Sequence, residues 1–100
     1  MAIRIAINGF GRIGRTVFRI MHERRKEFEV VAINDLGDIH NLAYLLKYDT
    51  AYGRSPFSIE VKDGAFVVEG KVSKFFSERD PAKLPWGDLG VDVVVESTGV

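Results

Sequence analysis

The sequence predicts an α/β fold: a doubly wound, mostly parallel sheet with an antiparallel hairpin excursion. Three observations carry that expectation. A strand pattern, a helical pattern and a second strand pattern follow one another within residues 2–33, as in a parallel crossover unit. Asp63-Gly64 divides two alternating runs, and this dipeptide favours a tight hairpin because it tolerates positive φ. Residues 91–96 are almost continuously aliphatic, the composition of a parallel strand covered on both faces.

The elements follow in order. Residues 2–7 place Ile3, Ile5 and Ile7 on one side and Ala2, Arg4 and Ala6 on the other, and their β-branched content suits a strand. Asn8-Gly9 ends it. From Ile13 the period lengthens to that of a helix of about 14 residues, with Ile13, Val17, Phe18, Ile20 and Met21 on one face. Arg12, Arg15, Arg19 and Glu23 take much of the remainder, and Arg24-Arg25-Lys26 suit the negative end of the helix dipole. Residues 28–33 form the second strand, closed by Asn34-Asp35. Asp38 is placed to cap a short helix whose apolar positions are Leu42, Leu45 and Leu46. A loop is expected around Lys47-Tyr48-Asp49-Thr50 and Gly53, where the periodicity stops. Phe57, Ile59 and Val61 alternate before the Asp63-Gly64 turn, Phe66 and Val68 after it, and a further strand spans residues 72–76. Pro81 and Pro85 then punctuate a turn-rich stretch with room for one helical turn.

Composition sets the class. One hundred residues make one domain at most, and 46% hydrophobic with 28% charged residues is the balance of an ordinary globular chain. Fourteen Lys and Arg offset fourteen Asp and Glu, so the basic excess that nonspecific nucleic-acid or anionic-membrane binding requires is missing. Neither partner is expected. With no cysteine, these residues hold no disulfide, thiolate metal site or cysteine nucleophile. No apolar run approaches the ~18 residues of a membrane span, and the chain opens directly into a strand, so a cytoplasmic setting is expected. Residues 97–100 leave the last strand at a glycine turn, which suits the front part of a longer protein. No repeat, linker or low-complexity tract is apparent.

The strongest chemical signal is Gly9-Phe10-Gly11-Arg12-Ile13-Gly14, which has the spacing G-x-G-x-x-G between a strand and a helix. In a dinucleotide-binding turn Gly9 allows the tight bend and Gly11 lets the backbone approach a pyrophosphate. Gly14 permits close packing of the helix. Unpaired N–H groups at the helix start then face the anion. The bland alternative is a glycine turn that merely joins strand to helix. Asp35 stands 21 positions after Gly14, where such folds carry the acid that accepts hydrogen bonds from the adenosine ribose hydroxyls. Its charge would repel a 2′-phosphate, and Leu36-Gly37 follow it with no arginine, so NAD is preferred over NADP. The bland alternative for Asp35 is a turn acid or a helix cap. The combination predicts a Rossmann-type NAD-binding fold.

Other residues carry less. Arg12 alone of the arginine ridge lies inside the loop and is a fair phosphate contact, whereas Arg15 and Arg19 suit a solvated face. His22 and His40 have no carboxylate, serine or metal-ligand partner at useful spacing, so no metal site and no catalytic residue is expected. Trp86 reads as a packing anchor. Glu96 ends a strand where open α/β sheets bind ligands, but one carboxylate does not make an acid–base pair.

The run Ala6-Ile7-Asn8-Gly9-Phe10-Gly11-Arg12-Ile13-Gly14-Arg15 resembles the opening of the glyceraldehyde-3-phosphate dehydrogenase family. Further matches follow in order: Ile33-Asn34-Asp35, Leu45-Leu46-Lys47-Tyr48-Asp49-Thr50, Glu78-Arg79-Asp80-Pro81, Leu84-Pro85-Trp86 and Glu96-Ser97-Thr98-Gly99-Val100. The resemblance implies that the backbone at Arg12 and Ile13 meets the pyrophosphate, that Asp35 holds the ribose, and that Arg79 lies by the adenine. It adds Thr98 and Gly99 in a turn along the cofactor, with Asn8 in the same loop as Gly9, Gly11 and Gly14. It also implies a catalytic domain beyond residue 100, with residues 1–100 as the N-terminal part of the NAD-binding domain. There a cysteine thiolate would attack the phosphorylated aldehyde, a histidine would act as base, and inorganic phosphate would release the acyl group. The family's homotetramer and glycolytic role are implied in the same way. Erythrose-4-phosphate dehydrogenase is the alternative enzyme, and a non-catalytic NAD-binding or sensing module is the alternative of another class.

Overall fold

The structure is a computed structural model that describes residues 2–24, 26–48, 59–68 and 70–97. Its elements are β1 (Ile3–Asn8), α1 (Arg12–Glu23), β2 (Phe28–Asn34), α2 (Ile39–Tyr48), β3 (Ile59–Lys62), β4 (Ala65–Val68), β5 (Lys71–Phe76) and β6 (Val93–Glu96), with a 3₁₀ turn at Pro81–Lys83. The six strands form one sheet in the order β3-β4-β5-β2-β1-β6. β1 pairs in parallel with β2 on one side and β6 on the other, and β5 runs parallel to β2. β4 runs antiparallel to both β3 and β5, which is the expected excursion. Asp63 and Gly64 have φ of 53° and 73°, so both central residues of the hairpin turn take the left-handed conformation that this dipeptide tolerates.

Two apolar layers cover the sheet. On one face Ile5, Ile7, Ile33, Phe66 and Val68 pack against Phe18 of α1 and Leu42, Ala43 and Leu46 of α2. The other face holds Ala6, Val31 and Ala32 under Trp86, Leu89 and Val91, so the β5–β6 connection covers it without an α-helix. Trp86 meets Phe76 edge-on at 5.8 Å, the packing anchor expected of it. β2 does not alternate simply. Ile5 pairs with Val30 but Ala6 pairs with Ala32, leaving Val31 as an extra residue. This bulge shifts the phase of the strand. Phe28, Val30 and Ile33 thereby face the helices, while Val31 and Ala32 face the other layer.

Three expectations need correction. α1 is rotated from the predicted face: Gly14, Phe18 and Arg19 are buried, whereas Ile13 and Ile20 are 67% and 48% exposed. The cause lies at its first turn, where Gly14 sits hard against the Gly9 carbonyl and fixes which side of the helix faces the sheet. Arg19 consequently points inward, where its Nη2 donates to the Leu46 carbonyl near the C-terminus of α2. A guanidinium there satisfies one of the last helix carbonyls and complements the negative helix end. Second, α2 continues through Lys47 and Tyr48, where a loop was expected. Its start is as predicted, with the Asn41 N–H donating to Asp38 Oδ2 at 3.0 Å. Asp49, Thr50, Gly53 and Phe57 lie outside the described residues.

The third concerns the last strand, which begins at Val93, because 91 and 92 are still turning: Val91 N–H donates to the Trp86 carbonyl and Asp92 N–H to that of Arg4. Val94 and Val95 reach the two apolar layers, but Val93 is 47% exposed at the sheet's edge, so the strand is not covered on both faces among the described residues.

Candidate functional site

From β1 the chain goes to β2 on one side, while β6 lies on the other, so β1 is the point where strand order reverses. Open α/β sheets leave a crevice at such a point, outside the carboxyl ends of the strands. A cavity of about 550 Å³ lies there, lined by the strand ends Asn8, Asn34 and Glu96, by Gly9 and Gly11 after β1, Asp35 and Leu36 after β2, Glu78 and Arg79 after β5, and Ser97 after β6. That volume falls within the usual range of small-molecule sites, roughly 300–1,000 Å³.

The glycines in the loop do different work. Gly9 has φ of 98°, a conformation L side chains rarely adopt, and its N–H donates to the Asn34 carbonyl at 2.7 Å. Gly11, with φ of −77°, needs no special backbone, yet a Cβ there would meet nothing within 4 Å. Its openness faces the cavity it helps to line. Gly14 is the reverse case. A Cβ on it would overlap the Gly9 carbonyl oxygen and stand 3.1 Å from Ser97 Oγ. Ser97 Oγ itself donates to the Gly9 carbonyl at 2.5 Å and Ser97 N–H to that of Asn8 at 2.8 Å, so β6 buttresses the loop from below.

Asp35 is held ready. Its Oδ2 accepts the Phe10 N–H at 2.7 Å and its Oδ1 the Gly37 N–H at 2.7 Å. A carboxylate has about four acceptor positions, so both oxygens of this cavity-lining residue keep acceptor capacity. The bond to Phe10 ties the acid to the glycine loop across 25 residues of sequence.

Across the strand tips runs a polar row that sequence reading did not assemble. Asn34, Asn8 and Glu96 are register partners on β2, β1 and β6. Asn34 Nδ2 donates to Asn8 Oδ1 at 2.9 Å, and Asn8 Nδ2 donates to both Glu96 oxygens at 3.2 and 2.9 Å. At the other end the Asn34 carboxamide pairs with the Glu78 backbone. The local signal was present: three polar residues each end an apolar strand run.

Of the residues singled out from sequence, Asn8, Gly9, Gly11, Asp35 and Arg79 come together at the cavity. Gly14 lies beneath the loop, and Arg12 and Ile13, exposed in the first turn of α1, follow directly on Gly11 of the cavity wall without lining it themselves. Thr98 and Gly99 lie outside the described residues. His22 stacks on Phe18 at 6.4 Å and His40 is exposed; neither lines the cavity. No cluster of metal ligands occurs among the described residues.

The side chains of the cavity walls are predominantly acidic. Side chains contribute three carboxylates, Asp35, Glu78 and Glu96, against one guanidinium, Arg79. Such walls suit hydroxyl donors, whereas an anion must be met by the backbone N–H groups opening α1. Residues 3–100 match the family described as glyceraldehyde 3-phosphate dehydrogenase, NAD binding domain. The chain belongs to that family. It is 58% identical over 98 residues to glyceraldehyde-3-phosphate dehydrogenase of Thermotoga maritima, covering 97% of this chain and 29% of the relative. It is 57% identical over 100 residues to the Haemophilus influenzae enzyme and to the cytosolic enzyme of Trypanosoma brucei brucei, covering all of this chain and 29% and 30% of those relatives. As a member of this NAD-binding domain family the chain is an α/β fold of Rossmann type with NAD as its cofactor. The chain spans about 30% of the length of the curated relatives it matches.

The loop geometry gives one direct check. Gly11→Val is expected to keep folding stability within about 1 kcal/mol, since its φ suits any residue and its Cβ meets nothing. NAD affinity, read by calorimetric titration, is expected to fall at least ~10-fold as the branched side chain fills the pyrophosphate space. A folded variant with unchanged affinity removes the loop from the site.

Proposed function

We propose that this chain is the cofactor-binding portion of a phosphorylating glyceraldehyde-3-phosphate dehydrogenase, which oxidises glyceraldehyde 3-phosphate with NAD and inorganic phosphate in glycolysis. The observation that carries the reading is the joined pair: an open glycine loop at a helix start, and Asp35 bonded to that same loop with acceptor capacity left over.

In this reading the N–H groups of Arg12 and Ile13 receive the pyrophosphate, Asp35 accepts the adenosine ribose hydroxyls, and Arg79 stands by the adenine. Asn8 keeps the loop in place, and the Thr98-Gly99 turn runs along the cofactor. Asp35 disfavours a 2′-phosphate by charge, which makes NAD the preferred form. NAD supplies the acceptor for hydride when bound. The attacking thiolate requires a cysteine, of which these 100 residues have none, so it and the histidine base belong to a catalytic domain beyond residue 100. A homotetramer in the cytoplasm is part of the same proposal.

The test is an assay of the intact protein for NAD reduction that depends on both glyceraldehyde 3-phosphate and phosphate. Turnover with erythrose 4-phosphate instead selects the other enzyme reading. Saturable NAD binding with no aldehyde-dependent turnover selects a sensing module.

A further inference from the structure

We propose that Asn34 is a positioning residue for Arg79: its carboxamide clamps the Glu78 peptide and so sets where the guanidinium stands relative to Asp35. This rests on the nucleotide reading above.

The ladder between β2 and β5 ends at the pair Asn34 and Phe76, with Asp35 N–H donating to the Phe76 carbonyl at 3.0 Å. Residues 77–80 are no longer strand and would be free to diverge. The side chain of Asn34 prevents this by continuing the ladder beyond its last backbone pair. A carboxamide offers the same donor and acceptor as a peptide group. Its Nδ2 donates to the Glu78 carbonyl at 2.9 Å while its Oδ1 accepts the Glu78 N–H at 2.9 Å. The second hydrogen on Nδ2 goes to Asn8 Oδ1, so both hydrogens and the oxygen of the amide are engaged. Asn34 is 5% exposed, which keeps water from competing for these bonds.

Arg79 is one residue beyond the clamp, and Asp35 is one residue beyond Asn34, so the clamp joins the backbones of the two cavity residues directly. Arg79 is exposed, lines the cavity, and among the described residues makes no hydrogen bond or ion pair of its own. Among the described residues nothing on the guanidinium itself fixes its place; the peptide before it does. Only a side chain with a donor and an acceptor side by side can hold both groups of one peptide. Aspartate lacks the donor, and serine or threonine cannot span the two positions.

The test is a double-mutant cycle on NAD affinity in the intact protein, with Asn34→Ala, Arg79→Ala and the pair. Each single variant is expected to weaken NAD binding about tenfold, the worth of one well-placed hydrogen bond. The double variant is expected to bind within about twofold of Arg79→Ala, because the clamp has nothing left to position. Losses that multiply overturn the proposal while leaving the nucleotide site intact. An Arg79→Ala variant that binds NAD like the wild type overturns it as well, and wild-type binding by Asp35→Ala too would bring down the nucleotide reading itself. Asn34→Ser covers the case in which the alanine variant fails to fold: it keeps a small polar group at the buried position, cannot span both groups of the Glu78 peptide, and is expected to show the same dependence on Arg79.

Discussion

Asp35→Ala is expected to weaken NAD binding by roughly 1.5–3 kcal/mol, the range for hydrogen bonds to a charged group, or about 10- to 150-fold in affinity. Two effects act in the same direction. The ribose hydroxyls lose their acceptor, and the Phe10 N–H loses the bond that ties the glycine loop to the end of β2. Asp35→Asn separates them: its amide oxygen can still serve Phe10 or Gly37, while the charge is gone. The preference for NAD over NADP is expected to narrow in both variants, since the repulsion toward a 2′-phosphate is removed with the charge. Parallel titrations with the two cofactors measure this. Unchanged affinity and unchanged preference in Asp35→Ala would remove the acid from the site.

The second large effect is expected at Gly14. An alanine there places its Cβ inside the Gly9 carbonyl oxygen and close to Ser97 Oγ. The first obstacle is backbone and cannot turn aside, so α1 must move away from the loop. Overpacking of this kind costs typically about 1–3 kcal/mol and more where the neighbour is rigid. Gly14→Ala is therefore expected to lower unfolding free energy by ~3 kcal/mol, read from denaturant midpoints. NAD affinity should fall with it, because the N–H groups of the first turn shift with the helix. The contrast with Gly11→Val is the informative part. Two glycines three positions apart are expected to fail in opposite ways, one in folding and the other in binding alone. A stable Gly14→Ala protein would mean that the helix does not rest on the Gly9 carbonyl.

Much of this could be read locally. The hairpin was legible because Asp63-Gly64 determines its own turn, and the turn determines the pairing of β3 and β4. The crossover from β1 to β2 was legible because a period of two changes to one of 3.6 and back within one short stretch. Asp35 was legible because the glycine motif sets the distance at which an acid is expected. The orientation of α1 was harder. Apolar periodicity placed Ile13 and Ile20 inward, but a close contact of Gly14, a residue without a side chain to count, outweighed it. Arg19 followed the same rotation into the interior, against its usual place at the surface.

The polar row was beyond local reading for a different reason. Asn34 and Glu78 are 44 positions apart and Asn8 and Glu96 are 88, and no sequence pattern states that three strand ends and the segment leaving a fourth will lie level. The sequence by itself determined the elements, the hairpin, the glycine loop and the acid that answers it, because each depends on the conformations and charges of neighbouring residues. Only the tertiary structure decided the bulge at Val31, the face α1 presents, and the meeting of Asn34 with the peptide before Arg79. These depend on strand order and register, which arise from how distant segments share one sheet and bury one core.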